Sequence, residues 1–134
     1  MRAIQLIALT CLFLVAARGA EIGEISHDEL AKAIADKQVV LLDANGTDSW
    51  KQGHIPGAID YATTKEQLVA KLPADKKALI VAYCGGPKCA AYKAAAEQAI
   101  ALGYTNVKHL KEGITGWKES GAAVEAVSPE SKQN

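Results

Sequence analysis

Two thiols five positions apart, Cys84 and Cys89, bracket the segment Gly85-Gly86-Pro87-Lys88. A cysteine acts as a nucleophile only as its thiolate, and its ordinary pKa lies near 8.5. Chemistry at Cys84 therefore requires surroundings that favour a sulfur anion. Upstream, Ala78 to Tyr83 is a short apolar run; downstream, an alanine-rich segment predicts a helix from Cys89 or Ala90 to Leu102, stopped by Gly103. A helix start carries about half a unit of positive charge on its free N–H groups. Gly85 and Gly86 place no side chain in the way of a curl, so successive backbone N–H groups can turn toward the sulfur. This pattern predicts a cradle of donors from Gly85 to Ala90 that lowers the Cys84 pKa. Pro87 stiffens the cradle, and Lys88 adds a mobile cation at its rim, suited to an anionic substrate. For Cys89 two readings stand at this level: a packed residue at the helix start, or a redox partner that closes a disulfide with Cys84.

The elements that would position this loop follow from local patterning. Ser26 and Glu29 have the spacing of a capping box, and Leu30, Ala31 and Ile34 form a helical stripe after it. Val39 to Leu42 is a continuous apolar run ending at Asp43, the pattern of a strand buried on both faces. Asn45 to Asp48 is loop chemistry, with Thr47 or Asp48 predicted to cap a short helix through Gln52. Gly53 to Ala58 forms a tight turn with a short extended piece after it. Thr63 or Thr64 is predicted to cap a helix from Lys65 to about Lys71. Ala78 to Tyr83 and Val107 to Leu110 read as further strands, and Ile114 to Ser120 as a last helix with Trp117 facing inward. Buried strands alternating with helices predict an α/β fold, with a central parallel sheet flanked by helices on both faces. Sites in such sheets lie beyond the carboxyl ends of the strands, which is where Cys84 stands.

Residues 1–20 are of another kind. Met1-Arg2 is a basic start, Ala3 to Ala17 is apolar apart from Gln5 and Thr10, and Arg18-Gly19-Ala20 is small and polar. That order is that of a signal peptide, and it leads to the expectation of an exported protein, periplasmic or secreted. Residues 21–127 then form one domain and residues 128–134 a polar tail that frays. With 15 basic and 15 acidic residues the formal charge is zero, which argues against a nucleic-acid partner. No membrane span is expected once the signal is removed. Two cysteines in the mature part do not make a disulfide framework. His27, His54 and His109 are scattered and converge with no ligand set, so neither a metal nor a cofactor is expected. The His54 ring is expected to hydrogen-bond its own turn, Asp43 to serve structure, and Trp50 and Trp117 to pack.

Three stretches together resemble the single-domain rhodanese family of sulfurtransferases across residues 24–124. They are "LLDANGTDSWKQGHIPGAIDY", "IVAYCGGPKCAAYKAAAEQAIALGYTNV" and "LKEGITGWKESGAAVE". The resemblance implies a rhodanese-like α/β fold and a catalytic Cys84. That cysteine would take a sulfane sulfur from an anionic donor, thiosulfate or a persulfide or polysulfide, and pass it to a thiol or to cyanide. The loop Gly85, Gly86, Pro87, Lys88, Cys89 and Ala90 would bind the substrate. A protein could also accept the sulfur, and a monomer is expected. The sequence departs from the family where many members carry arginine and glutamate, at Asn45 and Ser49. Ala90 stands where the phosphatase branch of the fold carries arginine, so phosphatase chemistry is not expected. With Lys88 as the loop's only charge, no guanidinium is present to grip thiosulfate in a bidentate way. Two other functions fit the same residues: a non-catalytic or sensory binding module, and a thiol oxidoreductase using Cys84 and Cys89.

Overall fold

The computed structural model describes residues 21–128. The signal peptide expected at 1–20 and nearly all of the tail lie outside the described residues. Five parallel strands, β1 (Gly23–Glu24), β2 (Val40–Asp43), β3 (Ile59–Asp60), β4 (Leu79–Tyr83) and β5 (Asn106–His109), form one sheet in the order β1-β5-β4-β2-β3. Between and after them lie α1 (His27–Ala35), α2 (Thr47–Gln52), α3 (Tyr61–Thr64), a 3-10 turn (Lys65–Gln67), α4 (Leu68–Lys71), α5 (Tyr92–Ala101) and α6 (Gly113–Glu119).

Strand β4 is central, and its alternation explains the layering. Ile80 and Ala82 pack with Leu42, Val107, Leu68, Leu72 and the alanines of α5 in one core. Val81 and Tyr83 pack with Leu41, Leu30, Ile55 and Trp117 in a second core on the opposite face. Burial on both faces is why these strands read as continuous apolar runs rather than alternating ones. The predicted α/β architecture with helices on both faces is the one observed.

Several local expectations hold. The Glu29 N–H donates to Ser26 Oγ at 3.2 Å, while Glu29 Oε2 accepts from the Ser26 N–H at 3.0 Å, completing the capping box. Trp117 is buried and donates its indole N–H to the Ala123 carbonyl at 2.8 Å.

Two caps were misplaced. Helix α2 begins at Thr47 with Gly46 (φ 91°) at its cap and no side-chain cap bond. The Thr47 hydroxyl donates instead to Asp60 Oδ2 at 2.7 Å. In place of one helix from Lys65 there are three short turns, the first capped by Asp60, which accepts from the Ala62 N–H at 3.1 Å. Thr64 stands at the N-cap of the 3-10 turn, but it makes no side-chain cap bond; Thr63 and Thr64 donate their hydroxyls to the Asp60 carbonyl. Asp60 is buried, and a buried carboxylate gathers whatever donors lie near it.

Candidate functional site

Strand β4 ends at Tyr83 and delivers Cys84 to the carboxyl edge of the sheet, where the residue is only 2% exposed. Under it lies a buried polar network. Tyr83 donates its hydroxyl to Asp43 Oδ2 at 2.7 Å and accepts from the Ile55 N–H at 3.0 Å. The Asn45 N–H donates to the other oxygen of Asp43 at 2.8 Å. Burial, then the neighbouring Asp43 charge, push the Tyr83 phenol far above its ordinary range, so it stays a neutral donor. This network fixes the strand end from which Cys84 projects and accounts for Asp43 as a structural carboxylate. Beside it, the His54 ring lies on Trp50 with centroids 4.1 Å apart, and its Nδ1 is 2.7 Å from the Trp50 carbonyl. The ring thus bonds the backbone of α2 rather than its own Gly53–Ala58 turn.

The loop after Cys84 is longer than the sequence suggested. Helix α5 begins at Tyr92 rather than at Cys89 or Ala90, because turn bonds occupy the intervening backbone. The Cys89 N–H donates to the Gly86 carbonyl at 3.0 Å and the Lys93 N–H to the Ala90 carbonyl at 3.1 Å. No side chain caps α5; the Tyr92 N–H donates to the sulfur of Cys84, which takes the place of a cap. The Gly85 N–H points to both sulfurs, and the Ala91 N–H to Cys89. A cradle of backbone donors is present, but Tyr92 and Ala91 supply it along with Gly85.

The predicted lowering of the Cys84 pKa is not what the geometry produces. Burial pushes the Cys84 thiol up, and the neighbouring Cys89 thiol raises it further. The amides of Tyr92 and Gly85 offset only part of this. Cys89 moves the other way: the Cys84 hydrogen bond, with the Gly85 and Ala91 amides, lowers its pKa against a smaller effect of burial. Both cysteines are free. The more accessible thiol is therefore the more acidic one, and each thiol shifts the other. Cys89 is thus not merely a packed helix-start residue.

The two loop glycines also differ from expectation. Neither Gly85 nor Gly86 has a positive φ, and an added Cβ would meet only Asn45 Oδ1 and the Glu112 carbonyl, each at 3.8 Å. The glycine the site cannot replace lies elsewhere. Gly113, at the start of α6 with φ 59°, sits directly against the cysteine loop. A Cβ there would fall 2.4 Å from the Cys84 carbonyl oxygen, 2.6 Å from the Gly85 carbonyl carbon and 2.7 Å from the Gly86 nitrogen. Because α6 approaches so closely, the Ile114 N–H donates to the Cys84 carbonyl at 2.9 Å and the Thr115 N–H to the Gly85 carbonyl at 3.0 Å. The first turn of α6 thus holds the loop from behind. Sequence reasoning missed this role, though the "EGITGW" segment was within view.

Two cavities adjoin the loop. One, of about 410 Å³, is lined by Gly85 to Cys89 and by Thr115. The other, of about 250 Å³, includes Lys88, Cys89, Lys93, His109, Lys111 and Glu24 in its wall. Cys89 and Lys88 line both; Cys84 lines neither. Among the described residues, no group of three or more His, Cys, Asp or Glu residues is placed to hold a metal ion.

Comparison with known proteins agrees with this geometry. The sequence profile of the Rhodanese-like domain matches residues 26–120. An HTH-type transcriptional regulator of Mycobacterium tuberculosis is 32% identical over 106 residues, covering 78% of this chain and 46% of its own length. The chain thus spans about half the length of the curated relative it matches. The crystal structure of the BH2092 protein of Bacillus halodurans is similar, with a TM-score of 0.62 and 28% identity over 78% of this chain and 77% of that one. SseA of Escherichia coli, described with 3-mercaptopyruvate sulfotransferases, shares the fold with a TM-score of 0.65 and 20% identity, over 82% of this chain and 54% of that one. A thiosulfate sulfurtransferase of Pseudomonas aeruginosa shares it at 0.62 and 23%, over 80% of this chain and 21% of that one.

Proposed function

The chain belongs to the rhodanese-like domain family, and from that premise we propose that it is an exported sulfurtransferase working through a persulfide on Cys84. The observation that carries the reading is the placement of Cys84: a thiol at the carboxyl end of the central strand, with the Tyr92 and Gly85 N–H groups directed at its sulfur. Those donors would stabilise the thiolate as it forms and the negative charge on the sulfane sulfur it then carries.

In the proposed cycle the Cys84 thiolate attacks the outer sulfur of an anionic donor, thiosulfate or a polysulfide. The donor leaves as sulfite or a shortened polysulfide, and Cys84 becomes a persulfide. A thiolate or cyanide then attacks the outer sulfur and carries it away, returning Cys84. Lys88, on the rim of both cavities, would draw the anionic donor in. Because burial raises the Cys84 pKa, the activation step includes loss of its proton. The reading is tested by following thiocyanate formed from cyanide with thiosulfate or polysulfide as donor. Activity lost in Cys84→Ser supports it; activity retained there contradicts it. Export is tested by sequencing the N-terminus of the protein recovered outside the cytoplasm, where cleavage after Ala17, Gly19 or Ala20 is expected.

A second reading has its own support. The Mycobacterium tuberculosis relative is named a transcriptional regulator, and the contact between Cys84 and Cys89 is the arrangement a sensor of sulfur or oxidant would use. In that case the domain would load sulfur, or close a Cys84–Cys89 disulfide, without multiple turnover. Thiocyanate formation that stops after a single equivalent supports the sensor; many equivalents support the transferase.

A further inference from the structure

The wall of the basic cavity raises a question that persulfide formation on Cys84 does not answer. Cys84 is 2% exposed and lines neither cavity beside the loop, whereas Cys89, whose thiol neighbours that of Cys84, lines both. An acceptor in either cavity therefore meets Cys89 first. Lys88, Lys93 and Lys111 line the smaller cavity, with Glu24 as its one acidic residue. It also holds His109, whose ring lies flat on Tyr92 with centroids 4.3 Å apart and whose Nδ1 is buried without a hydrogen-bond partner. Three cations against one anion favour a ligand that is itself anionic.

We propose that Cys89 is a sulfur relay, taking the sulfane sulfur from the buried Cys84 persulfide and handing it to a small carboxylate-bearing thiol bound in the basic cavity. The proposal rests on the sulfurtransferase reading and specifies how sulfur leaves the site. In the first step the Cys89 thiolate attacks the outer sulfur of the Cys84 persulfide. A bond forms between Cys89 Sγ and that sulfur, the bond from Cys84 Sγ breaks, and Cys84 departs with the electron pair. In the second step the thiolate of the bound acceptor attacks the same sulfur, and Cys89 departs as a thiolate. The acceptor becomes a persulfide, the sulfane sulfur keeps its oxidation state throughout, and no oxidant or reductant is consumed. The more acidic Cys89 at the cavity wall is the better leaving group in the second step, whereas the first step expels the less acidic Cys84 and is drawn forward by removal of the sulfur to the acceptor.

The sequence makes the test direct, since trypsin cleaves after Lys77, Lys88 and Lys93 and so separates Cys84 (78–88) from Cys89 (89–93). The protein is loaded with polysulfide, alkylated within a second and mapped. Alkylated persulfide on both peptides is expected, with no disulfide between them. In Cys89→Ser the 78–88 peptide should still load, which also shows that the variant folds. Transfer to 3-mercaptopropionate should then slow at least about tenfold, as expected when a thiol nucleophile is replaced by a hydroxyl. Lys111→Ala should raise the KM for 3-mercaptopropionate severalfold and leave that for neutral 2-mercaptoethanol unchanged. If Cys89→Ser loads Cys84 and transfers within twofold of wild type, the relay is wrong while the sulfurtransferase reading stands. A Cys84–Cys89 disulfide formed with release of hydrosulfide, in place of the Cys89 persulfide, also overturns it. No persulfide on either peptide overturns both.

Discussion

Replacing Gly113 by alanine tests whether α6 holds the cysteine loop in place. Two penalties act on the variant. The φ of 59° is a left-handed conformation that costs a residue with a Cβ about 1 kcal/mol. The new methyl would also lie 2.4–2.7 Å from three backbone atoms of Cys84, Gly85 and Gly86, none of which can swing aside as a side chain could. Forcing packed backbone apart costs about 1–3 kcal/mol. The sum, about 2–4 kcal/mol, leaves a domain of this size folded, since such domains are stable by about 5–15 kcal/mol. It should lower the Tm by roughly 8–32 °C, at about 4–8 °C per kcal/mol. Gly121→Ala is the matched control: its φ is 81°, but an added Cβ has nothing within 4 Å. That variant should show the conformational penalty alone, about 1 kcal/mol. Thermal unfolding of both variants separates the two terms, and persulfide loading at a temperature well below either Tm shows whether the loop has moved. A Tm for Gly113→Ala within about 3 °C of Gly121→Ala would refute the close packing of α6 on the loop.

Other outcomes follow from the same geometry. Tyr83→Phe leaves the Ile55 N–H and one Asp43 oxygen buried without a partner, and should cost about 2–4 kcal/mol in a denaturant titration; a loss under about 0.5 kcal/mol would remove the network from its structural role. Lys88→Ala should raise the KM for thiosulfate more than it lowers kcat, with an effect that fades as salt is added. A salt-independent change in kcat alone would place Lys88 in the transition state instead. The two thiols should separate in their pH dependence. Cys84 is held above the ordinary thiol value by burial and Cys89 below it by the Cys84 hydrogen bond, so alkylation of the 89–93 peptide should reach its plateau at lower pH than that of 78–88. The opposite order would reverse the assignment of the proton within the pair.

The fold was legible because its signals are local and repeated. Apolar runs of four to five residues, a capping box at Ser26 and the helix-stopping Gly103 each state their own structure. What escaped depended on residues far apart in sequence. The donors on Asp60 come partly from Thr47, and no local rule shows that a helix cap will be claimed by a carboxylate thirteen positions away. The two-residue strands β1 and β3 exist only through their pairing with β5 and β2.

At the site, the position of Cys84 could be read from the end of an apolar strand. The direction of its pKa could not. The nearby amides were foreseen, but the burial that outweighs them depends on packing from elements distant in the chain. Gly85 and Gly86 follow the thiol in sequence, yet the steric constraint falls on Gly113, which reaches the loop across the fold. A glycine four residues beyond the end of a strand, at the head of the last helix, was the available signal.

The central claim is that Cys84 carries the sulfur. Its most direct test is the intact mass of the protein after incubation with thiosulfate or polysulfide and removal of excess donor. Wild type should gain the mass of one sulfur atom, lost again on addition of cyanide, while Cys84→Ser should gain nothing. An equal gain in Cys84→Ser, or no gain in wild type with either donor, would contradict the account.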